Sequence, residues 1–146
     1  MNHPELVREL ERIAVGAVAL TARALSQAVP GLELTLPQWR AILIVGETAD
    51  GTRIGVVATR VGTTVPATSR LLRRLERRGF LRFVPDAADG RATRAQLTPS
   101  GAEVRNAILQ FRRDTLEFVA RRVLEQDDPS LARGLAAIAA ELGKYA

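Results

Sequence analysis

At 146 residues the chain has the length of one ordinary domain or one compact protomer, and with 47% apolar residues its composition is globular rather than disordered. It has no cysteine, and its one histidine is His3. That excludes disulfides, thiolate metal sites, a cysteine redox switch and histidine-cluster chemistry, so neither a metal nor another cofactor is expected. The net charge of +5 is uneven: from Arg53 to Arg94 ten arginines face only Glu76, Asp86 and Asp89, a local +7 that leaves −2 for the rest, which is the footprint of a nucleic-acid surface on a neutral scaffold.

The opening segment, MNHPELVRELERIAVGAVAL, has acids scattered through it and no basic run before its apolar stretch, so it reads as neither a signal nor a transit peptide. Ile13 to Leu20 is too short to span a bilayer, which predicts a soluble cytoplasmic protein with no membrane partner. Leu6, Leu10, Ile13, Ala17, Leu20 and Leu25 recur at helical spacing and predict a helix over 5–28. Val7, Val15 and Val18 widen its apolar face, so it needs more than one partner. After PGLELT, Thr35 can cap a second helix with Pro37 in its first turn. IGVVATRVG is a short third helix ending on Gly62, and Thr64 can cap a fourth that runs to about Arg78. FLRFVP and ATRAQLT read as two strands of a hairpin turned by DAADGR. Thr98 and Pro99 open a long helix to about Glu125, and DDPS breaks it before a last helix ending near Gly143. The expected fold is mainly α with a small β-hairpin wing: a winged helix-turn-helix over 35–98, flanked at 1–34 and 99–146 by helices with apolar surface to spare.

On the fourth helix, Thr68, Leu71, Leu72 and Leu75 share one arc, whereas Arg70, Arg73, Arg74, Arg77 and Arg78 take the opposite side. Thr63, Pro66, Ala67 and, at the edge, Ser69 continue the outward face as small residues that allow close approach. This is what a recognition helix requires, with its N-terminal end in the DNA major groove. Arg70 is the candidate reader of guanine, and Arg73, Arg74 and Arg77 are placed for phosphate. Thr63, Thr64, Pro66, Ala67 and Ser69 form the tip. On the hairpin, Arg91 can enter a minor groove, with Arg94 and Arg82 on the strands. Asp89 is expected to pair with an arginine and orient the wing.

The run RLLRRLERRGFLRFVPDAADGRATRAQLTPSG, with LTLPQWRAIL before it, resembles the multiple-antibiotic-resistance regulator (MarR) family of bacterial winged-helix repressors. The most specific part is the D-x-R motif of Asp89 and Arg91, followed by L-T-x-x-G from Leu97 to Gly101. The resemblance covers nearly the whole chain. It implies an obligate homodimer through the first and last helices, and two recognition helices on a pseudo-palindromic double-stranded DNA operator. It also implies Arg91 in the minor groove, Asp89 as its positioning partner, and repression relieved by a small aromatic or phenolic effector. Three departures stand out. Val56 replaces a usually polar residue, TTVPAT replaces a serine- and lysine-rich helix start, and the absence of cysteine excludes thiol-oxidation sensing.

Val104, Ile108, Phe111, Phe118, Val119, Val123, Leu124, Leu131, Leu135, Ile138 and Leu142 give the C-terminal helices ample apolar area for a dimer interface. Two-fold symmetry would set the recognition helices roughly 34 Å apart, one DNA turn. Trp39 lies where the family's effector pocket is bordered, and is either a ligand contact or simple core packing. Paired carboxylates, a nucleophile with its base and a phosphate-cradling loop are all missing, so no catalytic residue and no enzyme activity are expected. The reading is a dimeric sequence-specific transcriptional regulator acting as a repressor. The alternative is a non-specific architectural DNA-binding protein of the same fold.

Overall fold

The computed structural model describes residues 2–123 and 129–144. Its order is α1 (His3–Gln27), α2 (Leu36–Val45), β1 (Thr52–Arg53), α3 (Ile54–Val61), α4 (Val65–Arg77), β2 (Leu81–Pro85), β3 (Thr93–Leu97), α5 (Pro99–Val123) and α6 (Pro129–Gly143). The packing divides into two compact units, with the boundary between Arg112 and Arg113 inside α5. Leu124, Glu125, Asp127 and Asp128, expected at the break before the last helix, lie outside the described residues.

Local signals set the helix ends. Asn2 and Glu5 form a reciprocal capping box on α1, and Thr35 and Gln38 form another on α2. The α3 helix ends on Gly62 at φ 79°, a left-handed conformation that other residues enter at a cost. Two residues further on, the Thr64 hydroxyl accepts from the Ala67 N–H and starts α4. The helix-turn-helix corner is thus a left-handed stop followed at once by an N-cap.

The first unit holds the core. Trp39, Ile42 and Val45 from α2 meet Val57 from α3, Leu72 and Leu75 from α4, Leu81 and Ala95 from the sheet, and Ile108 from α5. The sheet is where sequence and structure part. A two-stranded hairpin was expected, but three strands are present in the order β1-β3-β2, all antiparallel. The added strand pairs Thr52 with Ala95 and Arg53 with Arg94. It is two residues long, too short to leave a periodic pattern, and exists only through its pairing.

The L-T-x-x-G motif now has a physical cause. The Phe80 carbonyl accepts from the Thr98 N–H at 3.1 Å, and the Thr98 hydroxyl donates to the Gly79 carbonyl at 2.6 Å while accepting from the Gly101 N–H at 3.1 Å. A Cβ on Gly101 would sit 1.8 Å from the Phe80 oxygen. No other residue allows the first turn of α5 to close onto that backbone.

The helices at either end are less complete. On α1 only Ala24 and Leu25 are buried, while Val7, Ile13, Val15 and Val18 are exposed, the last two to 70% and 66%. In the second unit Leu116, Phe118, Val119, Val123, Leu135 and Leu142 are exposed too. Among the described residues no helix is long and apolar enough to cross a membrane.

Candidate nucleic-acid interface

The α4 helix is held by its apolar arc: Thr68, Leu72 and Leu75 are at most 1% exposed and Leu71 is half-buried. The other face is exposed at Arg70, Arg73, Arg74 and Arg77. At the tip, Thr63, Thr64 and Pro66 are exposed, and Ala67 and Ser69 are half-buried. Val56, the apolar departure on α3, is 46% exposed.

The ten arginines of the basic segment fall into two groups. Arg60 makes a two-pronged ion pair with Glu47, one arm at 2.7 Å, that ties α3 to the end of α2 and lowers the Glu47 carboxyl below its usual value. Arg78 donates to the Glu33 carbonyl at 3.0 Å and lies over the Phe80 ring. Arg82 donates to Gln96 across the strand pair at 2.9 Å. Arg53 and Arg94 are bound to Asp86. By contrast, among the described residues no hydrogen bond or ion pair holds the guanidinium of Arg70, Arg74, Arg77 or Arg91. Arg73 has a distant contact to Glu76 at 3.9 Å and lies over the Phe83 ring.

Asp86 is the residue that the sequence reading passed over. The register sets Arg53 directly opposite Arg94, two like charges that repel. Asp86, with a side chain closed to solvent, resolves this. Its Oδ2 accepts from Arg53 Nε at 2.6 Å and from Arg94 Nε at 2.7 Å. Its Oδ1 accepts from the Ala88 and Asp89 amides at 2.9 and 3.2 Å, shaping the turn. These donors, the two guanidinium groups first, hold its carboxyl well below the usual carboxylate range and raise Arg53 in return. Arg94 also donates to the Gly51 carbonyl at 2.9 Å, so its guanidinium is engaged within the lobe.

Asp89 has a different task from the one expected. It makes no ion pair among the described residues. Its carboxylate accepts the Arg91 backbone N–H at 3.1 Å, and its carbonyl accepts from Ala92 at 2.9 Å. It shapes the chain beneath Arg91, and Asp86 is the acid that pairs with arginine. Arg91 itself is exposed in the turn.

Trp39 is 1% exposed and stands in the core. A separate cleft of about 820 Å³ lies in the first unit, lined by Ala17, Val18, Thr21 and Leu25 of α1, by residues of the α1–α2 connection, and by Arg78. Trp39 does not line it.

Three solved structures share this fold. A Mycobacterium tuberculosis protein, RV1404, is 24% identical with TM-score 0.76, over 98% of this chain and 96% of that one. Streptococcus pneumoniae FabT in complex with DNA is 17% identical with TM-score 0.80, over 99% and 100%. CouR from Rhodococcus jostii RHA1 bound to p-coumaroyl-CoA is 19% identical with TM-score 0.64, over 88% and 85%. No curated protein sequence matches significantly. Residues 32–92, from the approach to α2 through the wing tip, match the MarR family. Over that stretch the chain is similar to the MarR family, and its fold as a whole is the one shared with the three solved structures.

Proposed function

We propose that the protein is a homodimeric, sequence-specific repressor that sets two copies of α4 in successive major grooves of a pseudo-palindromic duplex. The observation that carries this is the division of the arginines. The lobe ties Arg53, Arg60, Arg78, Arg82 and Arg94 into its own structure, yet leaves Arg70, Arg74 and Arg77 on one exposed face of α4 and Arg91 on the wing. Unpaired arginines on a helix pinned by leucines suit guanine and phosphate. The likeness to FabT, solved in complex with DNA, supports the same placement.

The exposed valines of α1 and the exposed apolar residues of the C-terminal helices are the surface a second copy would cover. A small aromatic or phenolic effector would enter the cleft beside α1. The likeness to CouR, solved with p-coumaroyl-CoA, supports a ligand of that kind.

Selection of bound duplexes from a random library at near-physiological salt tests the function. The expected result is an inverted repeat with half-sites about one turn apart. Binding without enrichment, with a steep salt dependence, would establish the architectural role instead. Light scattering tests the dimer. Wild type should run at twice the chain mass and Val15→Lys/Val18→Lys as a monomer with lost operator affinity; a wild-type monomer would end the dimer proposal.

A further inference from the structure

We propose that the tip of α4 reads thymine in the major groove through its 5-methyl group, with Val65 and Pro66 as the reading residues. This rests on the DNA-binding reading above and adds a base to it.

At the centre of the tip, around Pro66, few polar groups are free; the Thr63 and Ser69 hydroxyls lie to either side. Pro66 has no N–H to give. The Ala67 N–H is taken by the Thr64 hydroxyl at 3.4 Å, and the Thr68 N–H by the Thr64 carbonyl at 2.9 Å. None of residues 66–68 therefore presents a backbone donor to a phosphate, the usual use of a helix N-terminus. The Thr64 hydroxyl is engaged in the same cap.

What the tip does offer is hydrocarbon. Val65 is 51% exposed and Pro66 is exposed beside it. At 100° per residue Pro66 stands opposite the fully buried Leu75, at the centre of the outward face. Arg70 follows one turn later, and Arg73, Arg74 and Arg77 continue the face, all exposed.

The charges decide what can cover this spot. An apolar protein partner would have to desolvate the arginines around it without pairing them. The major groove avoids that penalty. It presents phosphates along its walls and, on its floor, one apolar group, the thymine methyl. A small apolar tip at the head of a row of arginines is complementary to that surface.

The test replaces thymine by deoxyuridine, which deletes only the methyl, at each position of the selected duplex in both half-sites. At one or more positions wild-type binding should weaken by about fourfold per half-site, the effect of one buried methyl. The same penalty should vanish in Val65→Ala/Pro66→Ala, whose side chains lie outside the core. Tolerance of uracil at every position would overturn the proposal, and the wild-type series alone decides this. A penalty that persists undiminished in the double variant would also overturn it, by assigning the methyl contact elsewhere. Enrichment of no duplex at all would overturn the DNA-binding reading and this one together, an outcome distinct from uracil tolerance on a well-bound site.

Discussion

The α4 helix and the wing carry the same kind of charge and hold it in opposite ways. On α4 the arginines need no acid to position them. A helix has fixed geometry, and Leu72 and Leu75, both fully buried, hold its other side against the core. The wing has no such support. Its strands are five residues long, its turn is exposed, and its register sets Arg53 against Arg94. A buried carboxylate with four donors takes the place of the core. A rigid element can leave its cations free for a partner, whereas a slender one must first use some of them to keep its shape.

The comparison breaks most readily at the leucines. Leu72→Ala should cost ~2–5 kcal/mol of folding stability in denaturant unfolding. A loss below about 0.5 kcal/mol, the range of ordinary surface changes, would mean that α4 is not held from behind. Next in size is Arg70→Ala, expected to cost ~1–3 kcal/mol on the best duplex and to relax specificity at one position. Asp86→Asn keeps the shape of the side chain and removes its charge. It should weaken operator binding by no more than Arg91→Ala does, and adding it to Arg91→Ala should weaken binding no further, because its effect runs through the position of that arginine. Additive losses would show that Asp86 serves more than the wing. Arg74→Ala should weaken all duplexes about equally and flatten the salt slope by about one unit.

The smallest effect expected near neutrality is that of pH. The Asp86 carboxyl titrates lower in the folded protein than its unfolded value of about 3.9. Its contribution is therefore complete above that unfolded value and is lost as pH falls toward the folded one. Wing hydrogen exchange should be insensitive to this clamp between about pH 5 and 8 and should loosen only in strong acid. Asp86→Asn should remove that acid-dependent step.

Much of the lobe was legible because its signals are local. Thr35, Gly62, Thr64 and Thr98 act within a few residues of themselves, and each stands where its chemistry placed it. The leucine and arginine faces of α4 were legible from the period alone. What could not be read depends on distant pairing. β1 exists because Thr52 and Arg53 meet Ala95 and Arg94, about forty residues on. The same pairing selects Asp86 over Asp89 as the partner of arginine. Both acids sit in one turn, and only the position of Asp86 directly after a strand distinguishes them locally. The charge total of the central segment was visible too, but its division between structural and free arginines was not. A clue did exist: an acid directly after a strand, flanked in the fold by like charges, is where repulsion demands a counterion.

The Phe80 carbonyl gives the molecule a gear. Thr98 hydrogen-bonds to it, Gly101 lies flush against it, and Thr98 also grips Gly79, two residues past the end of α4. Only Arg78 and Gly79 lie between the last turn of α4 and that carbonyl, and the Thr98 hydroxyl holds the second of them. A small rotation at the start of α5 would therefore press directly on the chain that leaves α4, at the point where those two backbones touch.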